Sequence, residues 1–365
     1  MQSLLITLRN WPKTVWRICS GYWRKNWWHK LVVLACALFV LALGCMYGVA
    51  QWYIRSERSK HLVLGASFIP AYARSLGVDP QKTMQALITD VGVRHFRLVS
   101  YWDELEPAPG TYDFSELDWQ FKMAEDAHAK VTLSIGLRQP RWPECHMPAW
   151  ATSETAEQWQ PQLERFVGQV VDRYKGSSAL ESYQLENEAL LRNFGTCTDF
   201  SRGRLVAEYK LVKQHDSRHP IIMTRSNNLP SIATGQPQPD IVGMSVYRRV
   251  WDATITHRYL QYPLPSWYYA SLAGFQKIFT GKDSMLHELQ TEAWPPNGKS
   301  ITEISLAEQN KSFNAQRFKD TVTFGKQTGM RRIYLWGAEY WYYRETVLHD
   351  NSVWDVAKQT FRTVR

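Results

Sequence analysis

From residue 61 onward the chain alternates, eight times over, between a short apolar run of strand length and a longer stretch with helical spacing of its apolar residues. The strand candidates are 61–68, 92–100, 130–138, 180–188, 220–227, 240–247, 284–292 and 330–336. Predicted helices include 114–129, 154–174, 202–215, 267–279 and 305–328, with a final one over 352–365. Within 154–174, Leu163, Phe166, Val167, Val170 and Val171 recur at steps of three and four and form one buried face. Eight strand-then-helix units over about 300 residues predict an α/β fold with a parallel sheet. Eight such strands can close into a (β/α)8 TIM barrel. A doubly wound open sheet is the alternative, but no Gly-x-Gly-x-x-Gly follows the first run. No low-complexity linker interrupts the pattern, so residues 61–365 are expected to form one domain.

The pattern changes before residue 61. Residues 31–54 read LVVLACALFVLALGCMYGVAQWYI, without a charge. A helix needs about 20 apolar residues to cross a bilayer, so this stretch predicts a transmembrane signal anchor. Residues 1–30 are basic and rich in tryptophan, and residues 55–60 are expected to be a short tether. Cations ahead of the span predict a cytoplasmic N-terminus, and the tryptophans suit the headgroup region. The expected location is therefore the cell membrane, single-pass, with the main domain extracytoplasmic. A cleaved signal peptide ending at Gly48-Val49-Ala50, or a lipoprotein site at Cys45, would export the same domain.

The formal net charge of +9 divides unevenly. Residues 1–60 carry nine Lys/Arg against the single acid Glu57, which leaves the remainder close to neutral. The main domain thus gives no support to nucleic-acid binding. Of five cysteines, only Cys145 and Cys197 lie in the exported part. They follow the third and fourth strand candidates, whose loops would be neighbours on one rim. A disulfide between them is expected, with two unrelated thiols as the alternative.

Chemistry in a barrel of this kind sits at the carboxyl ends of the strands. The fourth run ends in Asn187-Glu188, and the seventh ends in HELQTEAW, with Glu292 just before Trp294. Two carboxylates facing each other across the mouth suit retaining glycoside hydrolysis, where the carboxyl groups lie about 5–5.5 Å apart. Glu288 is the rival within that run. Four strand residues span about 13 Å, which would place it deeper in the barrel and paired. Glu186, one layer below Glu188, reads as a buried partner of a cation. Seven tryptophans (Trp102, Trp142, Trp150, Trp251, Trp294, Trp336 and Trp341) fall at or just past strand ends, where flat rings can stack on the apolar faces of sugars. The loop RQPRWPECHMPAW, 138–150, reads as a subsite wall. No His/Cys/Asp cluster has metal-ligand spacing, and no cofactor is expected.

With these residues in place, the sequence resembles the clan A glycoside hydrolases, retaining enzymes that include the cellulase-like family 5 and the β-galactosidase family 42. The resemblance covers about residues 61–345. It implies Glu188 as acid/base, Asn187 as partner of the sugar 2-hydroxyl and Glu292 as nucleophile. It further implies Arg97 (in HFRL) beside the nucleophile, Tyr247 (in MSVYR) hydrogen-bonded to it, and Trp336 (in YLWG) as the floor of the sugar subsite. Trp294, Trp102 and Trp142 are expected to bind substrate as well. The segment 101–118 looks like the one after strand two in these enzymes. Ala189 departs from the pattern, since many members have Pro there. The implied activity is hydrolysis of a β-linked glycan or oligosaccharide, with the lipid bilayer as the other partner. A transglycosylase using the same two Glu, or an inactive carbohydrate-binding barrel in envelope glycan assembly, are the alternatives.

Overall fold

The computed structural model describes residues 16–17, 20–21, 23, 26–189, 191–192, 194–226 and 235–364. Most of the basic segment 1–30, Cys19, and the last residue of the fifth strand candidate lie outside the described residues.

All eight expected strands form. They are β1 (Val63–Ser67), β2 (His95–Val99), β3 (Lys130–Ile135), β4 (Leu180–Leu185), β5 (Ile221–Ser226), β6 (Ile241–Val246), β9 (Asp283–Gln290) and β10 (Arg332–Trp336). They pair in parallel, and β10 closes on β1 to complete a barrel. An unforeseen antiparallel hairpin, β7 (Arg249–Asp252) with β8 (Arg258–Gln261), stands on the carboxyl-end face after β6. Most barrel strands are buried on both sides, whereas the hairpin strands are half-buried to exposed. In β3, Val131, Leu133 and Ile135 pack outward against helices, while Thr132 and Ser134 hydrogen-bond inside the lumen.

The outer helices follow the expected faces. Ala156–Tyr174 opens with a capping box from Thr155 and Gln158 and buries Leu163, Phe166, Val167, Val170 and Val171. The stretch expected as one helix over 305–328 divides into Leu306–Ser312 and Ala315–Gln327. Phe313 is extended there, and the Asn314 side chain caps the second helix by accepting from the Arg317 N–H at 3.0 Å.

The apolar leader forms one helix, α1 (Trp27–Glu57), long and apolar enough to be a candidate membrane span. It also corrects the expected tether over 55–60. The helix continues to Glu57, which is buried and ion-paired with Lys60 at 2.8 Å and Lys277 at 2.5 Å. Arg331 Nε donates to the Glu57 carbonyl at 2.8 Å. The last turns of α1 are therefore part of the barrel wall, with Ala50 and Tyr53 in its core.

Candidate active site

The lumen is lined by polar side chains organised around Arg97 on β2. Its Nε–H donates to Gln184 and its two terminal nitrogens donate to Glu288 (2.6 Å) and Asn187 (3.0 Å). Tyr247 donates its hydroxyl to the other oxygen of Glu288 at 2.6 Å. These contacts correct the expected arrangement: the arginine and the tyrosine meet Glu288, not Glu292. The reason lies in β9. Ser245 pairs with Glu288, whereas its neighbour Met244 pairs with Leu286, so β9 carries an extra residue at that level. The same shift recurs against β10. A β-bulge of this kind re-aims the side chains beyond it.

Glu188 lies just past β4, in the left-handed region at φ 46°. Its N–H donates to Thr224 Oγ1 at 2.8 Å, and Ser245 Oγ donates to its carboxylate. Because Ser245 also stands beside Glu288 in register, Glu188 and Glu288 occupy one layer of the barrel mouth. Their electrostatic surroundings are opposite. Burial pushes Glu188 up to about 8, and the charge of Glu288 adds to the rise. Burial would raise Glu288 too, but Arg97, His287 and Tyr247 outweigh it and hold that carboxyl well below the usual range. Glu144, which accepts from Asn187 Nδ2 at 2.9 Å, is pushed up to about 7, chiefly by burial.

Glu292 lies beyond the end of β9 and belongs to a second cluster. It accepts from Trp336 Nε1 at 2.7 Å, from the Tyr72 hydroxyl at 2.8 Å and from Arg141 at 3.2 Å. The Arg141 guanidinium carbon lies 3.3 Å from the ring centre of Tyr72 and 4.5 Å from that of Trp336. Gly337 makes room for this cluster: its φ is +98°, and a Cβ there would sit 2.5 Å from that of Glu292.

One cavity of about 1060 Å³ joins both clusters, lined by Glu188, Glu288, Glu292, Asn187, Tyr247 and Trp336 among others. Trp142, Trp251 and Trp294 also line it. Trp102 does not. It is fully buried, donates to Glu106 at 2.6 Å and packs on Trp150 and Phe166, so its expected role at the site is corrected to core packing. Trp341 is likewise buried, and both it and the half-buried Trp150 donate to backbone carbonyls. Loop 138–150 supplies Arg141, Trp142 and Glu144 to the cavity wall. Cys145 and Cys197 are joined by a disulfide, with Cα atoms 5.2 Å apart. Glu186 pairs with Arg204 at 2.8 Å. Among the described residues, no group of three His, Cys, Asp or Glu could hold a metal ion.

No protein-family model matches the sequence, and no curated protein does. Solved structures do match in shape. A xylanase from Cellvibrio japonicus, solved with xylopentaose, aligns with a TM-score of 0.55 at 14% identity over 84% of this chain and 68% of its own. A native xylanase from Thermotoga maritima aligns at 0.51 and 15% identity, over 87% and 99% of the two chains. A β-galactosidase from Halorubrum lacusprofundi aligns at 0.50 and 13% identity, over 83% and 58%. The fold is the closed (β/α)8 barrel that these glycoside hydrolases share. Tyr72 and Ser245 were not among the expected site residues, and Arg141 was expected only as part of the subsite wall in loop 138–150. Only the aromatic and basic character of loop 138–150 pointed toward Arg141.

Proposed function

We propose that the protein is a membrane-anchored retaining glycoside hydrolase acting on a β-linked glycan, with Glu188 as acid/base and Glu288 as nucleophile. The observation that carries this reading is the convergence of Arg97 and Tyr247 on Glu288, beside a Glu188 whose carboxyl is pushed up to about 8. Two carboxyl groups driven apart in acidity divide the work of acid and nucleophile.

In the first step Glu288, ionised, attacks the anomeric carbon. The bond to the leaving oxygen breaks as Glu188 delivers its proton there. Arg97 and Tyr247 hold Glu288 charged and aimed, and Asn187 presents its amide beside it. In the second step Glu188, now a carboxylate, takes a proton from water, and that water displaces Glu288 from the sugar. Glu292 serves as an anchor for sugar hydroxyls beside Trp336, with Trp142 and Trp294 as stacking surfaces.

A mechanism-based 2-fluoroglycoside should leave a glycosyl adduct on a proteolytic peptide, and fragment masses locate it. An adduct on Glu288 supports the proposal. An adduct on Glu292 restores the assignment that family resemblance alone implies. Glu288→Gln and Glu188→Gln should each lower turnover by about 10²–10⁴-fold while the protein stays folded.

A further inference from the structure

The direction in which α1 packs fixes which pole of the barrel meets the membrane. The helix Ser266–Thr280 runs from the carboxyl-end face, where hairpin β7–β8 stands, down to the start of β9. α1 lies alongside it in the same sense. Tyr47 meets Trp267 with ring centres 5.8 Å apart, Val49 and Tyr53 close over Gly274, and Glu57 reaches Lys277. Its last residues end at the opposite pole, where Ile54 packs over Gly329 and Lys60 pairs with Asp283. The preceding part of α1 therefore projects past the mouth of the barrel, with its apolar window free of barrel contacts.

The spacing of aromatics marks where a bilayer would sit. From Trp28 to Tyr47 a helix rises about 28 Å at 1.5 Å per residue. That matches the roughly 30 Å apolar core of a bilayer, and aromatic rings favour its two boundaries. Tyr47 then lies at the outer boundary, level with Trp267 at the mouth end. Exposed apolar side chains surround the same opening: Trp142, Phe194, Leu260 and Ile255, the last 84% exposed. Ile278 and Phe279 are exposed at the other pole, but α1 leaves the barrel away from them.

We propose that the mouth opens onto the bilayer surface and receives a glycan carried on a lipid of the same membrane. This rests on reading the site as a glycoside hydrolase. An enzyme for soluble polysaccharide would gain nothing from a mouth held against the headgroups. A glycan rising from a lipid would enter the cavity end-on, its lipid staying in the leaflet beside Trp142 and Ile255.

The test uses the full chain in vesicles of phosphatidylethanolamine and phosphatidylglycerol. A fluorophore is placed by Ile255→Cys or by Phe279→Cys, with Cys19, Cys36 and Cys45 changed to Ser. A headgroup-attached quencher should dim the label at 255 and spare the label at 279; the reverse result overturns the orientation. The same vesicles are then offered one β-linked oligosaccharide, either on a dialkyl lipid or free. Faster cleavage of the lipid-borne form is expected. Equal or slower cleavage refutes the substrate class even if 255 is quenched. Cleavage of neither form, with 255 quenched, defeats the hydrolase reading and the substrate class together, while the orientation holds.

Discussion

Glu188 and Glu288 are chemically identical and both buried, yet burial wins at Glu188, helped by the charge of Glu288, while Arg97, His287 and Tyr247 overcome it at Glu288. Only Glu288 has a guanidinium and a phenol hydroxyl against it; Glu188 has a serine hydroxyl and the repulsion of Glu288. For the proposed mechanism Glu188 must be protonated and Glu288 ionised in the free enzyme. The pH profile of kcat/KM should therefore hold level through neutral pH and fall as pH rises through about 8, when Glu188 loses its proton. The acid limb should lie well below the ordinary carboxylate range, because Arg97 resists protonation of Glu288. Ser245→Ala removes a hydrogen bond that favours the charged form of Glu188, so its alkaline limb should move to higher pH. An unchanged limb in that variant would detach the profile from Glu188. The residue types for this division of labour were visible in the sequence, since Arg97, Tyr247 and the Asn187-Glu188 pair were all singled out. Which glutamate they serve was not.

Strands explain that gap. Counting by twos along HELQTEAW puts Glu288 and Glu292 on one face, with Glu288 well below the mouth. The extra residue in β9 breaks the count and brings Glu288 level with Ser245. Hydrophobic alternation carries no mark of a bulge, because β9 (DSMLHELQ) is buried on both faces and its polar residues give no exposed side against which a shift could be read. The strands themselves were legible because their helix-facing residues, such as Val131, Leu133 and Ile135 in β3, recur as short apolar runs between the helical stretches. Buried ion networks were half legible. Glu186 was expected to meet a cation, and it meets Arg204 on the helix Arg202–His215, which also pairs with Glu208 and with Asp199 at 2.7 Å. Glu186 in turn accepts from the backbone N–H groups of Leu137 and Arg138 at 2.7 and 2.9 Å, which ties the loop after β3 to that helix. Arg204→Ala strands two buried carboxylates, so it should cost about 3–5 kcal/mol in urea unfolding. Arg204→Ala with Glu208→Gln should recover part of that loss, because one unpartnered buried carboxyl group, already pushed up by burial, is gone.

At the scale of the whole molecule, the charge asymmetry and the apolar run led to the expectation of an anchor, and the run forms the candidate membrane span α1, whose packing could not be read. Nothing in a sequence says that Val49 will lie over Gly274, a contact made by residues more than two hundred positions apart. That contact packs α1 against the barrel, where a slack tether would have left the two free to reorient. Gly274 is the position that allows it: a Cβ there would stand 2.6 Å from Val49 Cγ1 and 3.2 Å from Tyr53 Cβ. Gly274→Leu should wedge the two helices apart, at a cost of about 1–3 kcal/mol for overpacking. Hydrogen exchange in detergent then separates local from global effects. Amides of residues 50–57 should lose protection, because their helix is no longer pressed against the wall. Strands β2 to β5, on the other side of the barrel, should keep theirs. Uniform loss across all strands would mean that α1 is a structural stave of the barrel instead of a docked arm, and that it cannot be released from the barrel without unfolding it.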